Sequence, residues 1–596
     1  MRIGREPKDN SSSRFSKGTI AFLFLLTVMT VLWIMDKSLT FSLSQSLKSF
    51  GLPIGGKNQN ATPSNAFRPT TDVLDPHTDH QNARDTKLDH FSHGQEPDIW
   101  VQTNVRPDGS LKVIETIEVE RPPSDYHCEI SKKVCKRELK AHPEWQKEVL
   151  EAIHHSWDGY GKGEAFGEDA VDVVTGKVGK PWIHVGVFMI DSLSTLWLAG
   201  LRDEFDRCVA KIRELDWDHA DDRKDSFFEL AIRLLGGLIG AYDLSGERVL
   251  LEKAKQLGDR LLKSFGGGSP FPYPQIDLVS GEHGWDWNGV GHYGLAAIGS
   301  FQMEFIQLSH HTGDPKYKNV ADKATEALMH EGHALIAADQ IVSGGHGQEN
   351  SNRLTVGGAA DSYFEYLLKM YIQSGKKDAK YLHQFEKVYD EAVQKLQIRT
   401  QNSTRGEYMI YWDDVTNDRH KYNWQHLACF ISGTLALGHY RDGASHPKWQ
   451  HTSTEIARTC HEMYVRSPTG LASENVRMND KTTDFSSQMT VLPEVGLMRP
   501  EAVESWYYLH YFTGDPKYRE WAHEYLVAMN KHARAPYGYS KIEDVTAVPA
   551  TQTGFCESFV MAETLKYLYL IMSDRSALDL SKYVLNTEAH PFRIHN

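Results

Sequence analysis

The feature that most constrains this chain is a repeated stop: long amphipathic helices that end on glycine and restart a few residues later. From about Arg137 onward, apolar residues recur at i, i+3, i+4 and i+7, as in FFELAIRLLGGLIGAY, SYFEYLLKMYIQ and ESFVMAETLKYLYLIM, the period of a helix with a buried face. Glycines closing these runs stand at Gly246, Gly313, Gly375, Gly438 and Gly514, at spacings of 67, 62, 63 and 76 residues. The hexapeptide TGDPKY occurs twice, at Thr312–Tyr317 and Thr513–Tyr518. Each beat is long enough for a helical hairpin and a long loop. Stacked hairpins of this size form either an open solenoid or a closed ring of paired helices. The long irregular linkers, with 266–292 and 335–358 the largest, favour closure, because solenoid turns are usually short and long loops carry function. In the first linker Phe271, Tyr273, Trp285 and Trp287 can stack on sugar faces, although loop anchors packed on the ring's rim are the commoner use of such residues.

The segment before the beat is different in kind. Residues 18–35 (GTIAFLFLLTVMTVLWIM) are uncharged, long enough to cross about 27 Å of hydrocarbon at the helical rise. Five basic residues, Arg2, Arg5, Lys8, Arg14 and Lys17, precede this run, which predicts a cytosolic tail at 1–17 and a type II signal anchor at 18–35. Residues 36–136 are rich in Ser, Asn, Asp, His, Thr and Pro and read as a lumenal stem, mostly disordered; the folded domain is expected over 137–596. Sequons at Asn60 and Asn402 agree with lumenal exposure. The expected location is the Golgi or endoplasmic reticulum membrane, with a single pass. A net charge of −14 repels phosphate backbones and excludes a nucleic-acid partner. Six cysteines, none in a C-x-x-C pair, exclude a disulfide scaffold or thiolate zinc site and leave room for one or two bridges.

Carboxylates interrupt helices that should be apolar. Glu229 lies in a run hydrophobic nearly all round, with Arg233 four residues on and able to pair with it. Asp361 opens a helix after Gly357 and Gly358, where an N-cap is the ordinary role. Glu501 and Glu504 follow Pro500 in a first helical turn, where the helix dipole favours acids. Glu557 and Glu563 punctuate the last long helix. Each acid has an ordinary explanation alone. Several buried acids on inner helices suit two chemistries: acid/base cleavage of a glycosidic bond, and oxygen ligation of a hard divalent cation. Asp216-x-Asp218-x-x-Asp221 and His330-Glu331-Gly332-His333 match neither an EF-hand nor a zincin, and no P-loop or nucleophile elbow is present.

At these residues the sequence resembles glycoside hydrolase family 47, the class I processing α-1,2-mannosidases of the secretory pathway. The likeness spans about Trp157 to Phe592. It rests on separated blocks: Ile190 to Trp197, Phe228 to Gly237, Ala360 to Leu367, His426 to Phe430, Arg499 to Ser505, Glu563 to Tyr567 and Asn586 to Pro591. The resemblance implies an all-α (α/α)7 barrel and a Ca²⁺-dependent, inverting mannosidase trimming high-mannose N-glycans. It implies Glu229 as general acid, Glu501 as general base and Asp361 as a third essential carboxylate that relays a proton through water. It also implies Thr587 as the direct protein ligand of Ca²⁺, and Glu563 and Glu588 as acids holding the ion's waters or the sugar. Phe559 falls at the aromatic beneath the reacting mannose; Arg233, His426, Glu474, Arg499 and Glu504 fall at other cleft positions. Cys429 and Cys460 match the family's disulfide. On this reading Glu229 must hold a proton near neutrality, which burial promotes and Arg233 opposes.

Four departures stand out. Ala297 replaces a cleft glutamate, and Ala359 stands where single-branch enzymes carry arginine and broader ones leucine. Gln425 replaces an aspartate and Ser473 a proline. Because Ala359 leaves space beside the cleft, no restriction to the glycan's middle branch is expected. Ala297 and Gln425 also motivate the alternative of a mannose-binding lectin or degradation-targeting factor that kept the fold and lost turnover.

Overall fold

The computed structural model describes residues 139–595, except 222, 287–289, 330–340, 343–352 and 443–445 and the side chains of 341–342. It also describes the backbone of three strands upstream. The expected anchor at 18–35, the sequon at Asn60 and Trp287 lie outside the described residues. Among the described residues no helix is long and apolar enough to cross a membrane. Within the stretch read as a mostly disordered stem, β1 (Thr86–Phe91), β2 (Asp98–Val105) and β3 (Leu111–Val119) form an antiparallel sheet in that order. Composition averaged over a hundred residues hid this short element, whose last strand is rich in β-branched residues.

Fourteen helices of eight or more residues follow among the described residues. They are α1 (Pro143–Gly161), α2 (Val187–Leu198), α3 (Arg202–Glu214), α4 (Gly236–Ser245), α5 (Arg248–Leu261), α6 (Gln302–Thr312) and α7 (Lys316–Met329). The second half comprises α8 (Asp361–Gln373), α9 (Ala379–Lys395), α10 (Phe430–Arg441), α11 (Pro447–Val465), α12 (Glu501–Thr513), α13 (Pro516–His532) and α14 (Leu565–Met572). The even-numbered helices form an inner ring: α2 packs on α4, α4 on α6, and so on to α14, which returns to α2. Their neighbours form the outer layer, α1 covering α14. Burial follows position. Every residue of inner α10 is buried, whereas outer α3 buries only Phe205, Cys208, Val209 and Ile212.

Four of the five glycine stops are as expected: Gly246, Gly313, Gly375 and Gly514 follow helices with φ of 68–78°. The two TGDPKY copies build the same joint, since Asp314 and Asp515 each accept the backbone N–H two residues on, at 3.1 Å. Gly438 is the exception. It lies inside α10, where a Cβ would stand 2.7 Å from Trp449 of α11, so its role is close helix packing rather than termination. A hairpin of β4 (Tyr583–Leu585) and β5 (Pro591–Arg593) packs against inner helices α8 and α4.

Candidate active site

Residues at or just ahead of the starts of inner helices α4, α8, α10, α12 and α14 gather at one place in the ring. A cavity of about 380 Å³ opens there. It is lined by Glu229, Arg233, Asp361, Arg499, Glu501, Glu504, Phe559, Glu563, Thr587 and Glu588, ten of the fourteen residues singled out from the sequence. His426 and Glu474 lie in an adjoining recess behind Arg499. Cys429 and Cys460 are not among the cavity's lining residues and form a disulfide between the turn before α10 and helix α11.

Glu229 sits in one helical turn (Phe227–Glu229) ahead of a π-helical segment, Leu230–Leu235, that leads into α4. Arg233 Nε donates to Glu229 Oε2 at 2.7 Å, and its Nη1 reaches Ser558 at 3.2 Å and also Glu588. Asp191, fully buried on α2, stands 3.5 Å from the same nitrogen and is held by His590 at 3.1 Å. Three carboxylates therefore surround one guanidinium, and their charges outweigh the cost of burying Arg233 and keep it firmly protonated. The expectation that Glu229 is enclosed by apolar neighbours is not met: its side chain keeps 35% exposure, because it faces the cavity.

Asp361 is not an N-cap. It is the first residue of α8, and its Oδ1 accepts from Ser362 N at 2.9 Å. Burial, helped by the negative charges of Glu501 and Glu365, pushes its carboxyl up to about 7. Glu501 behaves oppositely. Burial works against its ionisation, but a 3.0 Å contact with His426 Nδ1 and the charges of His426 and Arg499 hold it below the ordinary carboxylate range. His426 is itself fixed by Tyr464 OH at 2.7 Å. Arg499 grips Glu474 through Nε and Nη2 at 2.7–2.8 Å. The guanidinium carbons of Arg233 and Arg499 stand 5.9 and 5.6 Å from the centre of the Phe559 ring.

Glu563, in a second π-helical segment (Val560–Thr564), has no protein hydrogen bond or ion pair among the described residues; burial and the charges of Glu588, Glu501 and Glu504 push its carboxyl well up. Glu504 is likewise raised, by burial first, although Lys369 stands 3.4 Å away. Thr587 is at the turn of the β4–β5 hairpin, which carries it into the cavity. Among the described residues no three His, Cys, Asp or Glu side chains are arranged to ligate a metal directly. The donor set fits a hard cation held by few protein atoms: a threonine hydroxyl among buried, incompletely neutralised carboxylates.

Sequence reasoning passed over several neighbours. Glu365 lines the cavity one turn beyond Asp361, and fully buried Lys369 pairs with both Glu365 and Glu504. Their signal was i, i+4 spacing of charges along an apolar helix. Of the four departures, Ala297 and Ala359 line the cavity, Ala359 with φ of 77°. Gln425 accepts from Gly358 N at 3.0 Å and donates to Asp414 at 2.7 Å, and Ser473 bonds Asn475 O at 2.6 Å; both are scaffold contacts. The rim aromatics pack on one another: Tyr273 stacks on His283 at 4.0 Å and meets Trp285 edge-on at 5.0 Å, while Phe271 lies 5.5 Å from Tyr293.

Residues 152–594 match glycosyl hydrolase family 47. The chain is similar to human mannosyl-oligosaccharide 1,2-alpha-mannosidase IB, with 34% identity over 76% of this chain and 70% of that protein. It is also similar to the Arabidopsis thaliana mannosyl-oligosaccharide 1,2-alpha-mannosidase MNS1, with 34% identity over 75% and 78% of the two chains. The alpha-1,2-mannosidase from Trichoderma reesei superposes with a TM-score of 0.70 at 28% identity, covering 76% of this chain and all of that one.

Proposed function

This chain belongs to glycosyl hydrolase family 47 and is a glycoside hydrolase, and we propose that it removes terminal α-1,2-linked mannose from high-mannose N-glycans with inversion, using Ca²⁺, Glu229, Asp361 and Glu501. One observation carries the residue assignment: three carboxylates from three separate elements line one sugar-sized cavity, and the environments of two of them push their protonation in opposite directions. Glu501, kept ionised by His426 and Arg499, takes the proton from the attacking water. Glu229 donates to the departing oxygen, and Asp361, holding a proton near neutrality, resupplies it through water. Inversion requires the two working carboxyls to be about 6.5–9.5 Å apart, with water on the far face of the ring. Phe559, which lines the cavity near Arg233 and Arg499, gives the sugar an apolar platform.

Thr587 is the proposed direct protein ligand, with Glu563 and Glu588 holding the ion's waters. Held by these residues, Ca²⁺ would act as a Lewis acid toward the hydroxyl oxygens of the sugar. The lumenal domain is proposed to be tethered in the Golgi or endoplasmic reticulum membrane by residues 18–35. Small side chains at 297 and 359 leave room for more than the middle branch of the glycan. The lectin alternative loses part of its motive, because Gln425 serves the scaffold.

A nine-mannose glycan digested under time-resolved NMR, with and without EGTA, tests the reading. Expected are β-mannose as the first product, more than one product isomer, loss of release in EGTA and loss in Glu501→Gln, on the order of 10²–10⁴-fold for a general base. Initial α-mannose, or an undiminished rate in Glu501→Gln, would remove Glu501 from its role.

A further inference from the structure

Glu304 has no place in the mechanism above, yet it is fully buried in α6, within the apolar sequence Gln302-Met303-Glu304-Phe305-Ile306. A carboxylate there is expensive, and its surroundings repay it poorly. Among the described residues it has no ion-pair partner, and its Oε2 has no hydrogen-bond partner. An apolar residue of similar size would serve packing as well or better. What Glu304 does is concentrated on its other oxygen. Oε1 accepts from Tyr366 OH at 2.6 Å and from Asn586 Nδ2 at 2.8 Å, two groups brought by α8 and by the β4–β5 hairpin.

Both groups lead to Thr587. With its proton committed to Glu304, the Tyr366 oxygen is left to accept, and it takes the backbone N–H of Thr587 at 3.4 Å. The Asn586 amide, turned by its bond to Glu304, presents Oδ1 to the N–H groups of Glu588 at 3.1 Å and His590 at 2.7 Å. The loop between β4 and β5 is thereby held from both sides of Thr587, in a turn tight enough that Ala589 adopts φ of 56°. The same Asn586 Nδ2 also touches Ile232 O at 3.2 Å, in the π-helical segment that carries Arg233.

We propose that Glu304 is a positioning residue that, through Tyr366 OH and Asn586, holds the Thr587 loop in the conformation that receives the cation. The proposal rests on the assignment of Thr587 to Ca²⁺ made above. A ligand held by outer hydrogen bonds loses affinity when they are cut, typically 10–100-fold.

Calcium titrations of the full chain by isothermal calorimetry, with melting temperatures measured in EGTA, test it. Tyr366→Phe keeps the ring and deletes the hydroxyl that joins Thr587 N–H to Glu304. It should weaken Ca²⁺ binding about tenfold or more, leave the melting temperature in EGTA close to that of the native chain, and regain most of kcat at saturating Ca²⁺. Glu304→Gln keeps an acceptor oxygen and removes the charge, and should show a smaller loss. The double variant should lose less than the two single losses combined, because both cut one chain of bonds. Native Ca²⁺ affinity in Tyr366→Phe and Glu304→Gln overturns the proposal, as does a loss of affinity matched by an equal loss of stability in EGTA. Absence of Ca²⁺ binding by the native chain overturns the calcium assignment and this proposal with it, whereas binding that Thr587→Val abolishes and Tyr366→Phe leaves intact overturns only the latter.

Discussion

Asp361 shows how a residue's setting changes its meaning. In sequence it is an acid beside two glycines at a helix start, indistinguishable from a cap. Among the described residues of the folded chain its oxygen bonds only its immediate neighbour, Ser362, while burial and the nearby Glu501 and Glu365 raise it to about 7 from an ordinary 3.8. The sign of its effect on stability follows. Between about pH 4 and 7 the folded chain keeps a proton that the unfolded chain releases, so this group costs stability as pH rises through that window. Asp361→Asn removes the titration. Urea unfolding at pH 4.5 and 7 should find the variant gaining on the native chain with rising pH, by on the order of 1–3 kcal/mol once solvent access to the cavity is allowed for. Equal pH dependence of the two proteins would show that Asp361 does not titrate in this range. Glu229 was legible by its spacing to Arg233, and the 2.7 Å pair is present. Its exposure was not legible, because a helical period gives the face that is buried and not the cavity that the face surrounds.

At the scale of elements, helical periodicity located most of the ring's helices but not their irregularities. Glu229 and Arg233 border or lie in the π-helical segment Leu230–Leu235, and Glu563 lies in Val560–Thr564. An inserted residue turns the following side chains around the axis, and such bulges concentrate at functional sites. Nothing in the apolar pattern marks them, since a π turn uses the same residue types as an α turn. Glycine has a similar ambiguity: Gly246 ends a helix and Gly438 does not, though both follow apolar runs. Gly237 belongs to the second kind. A Cβ on it would stand 2.8 Å from the Ile190 carbonyl oxygen of α2, and a backbone atom cannot swing aside. Gly237→Ala should therefore push α2 and α4 apart and cost about 1–3 kcal/mol, read as a lowered midpoint in urea. An unchanged midpoint would mean that the inner ring adjusts freely at this crossing.

For the molecule as a whole, closure of the ring puts acids hundreds of residues apart around one cavity, and the disulfide secures one side of it. Cys429 and Cys460 are separated by 31 residues and tie the entrance of inner α10 to outer α11. Cys429→Ala with Cys460→Ala should destabilise the chain by about 3–4 kcal/mol by the loop-entropy relation, seen as a lowered melting temperature under non-reducing conditions. No difference from the native chain would show that the bridge adds nothing to the packed helices. Local patterning by itself determined that this chain makes successive paired helices joined by long loops, and that its acids are misplaced for simple packing, because periodicity is a property of short segments. Only the tertiary structure decided which acids share a cavity, that Gln425 serves the scaffold, and that Glu304 stands behind Thr587, because those relations join residues hundreds of positions apart in the chain and exist only once the ring has closed.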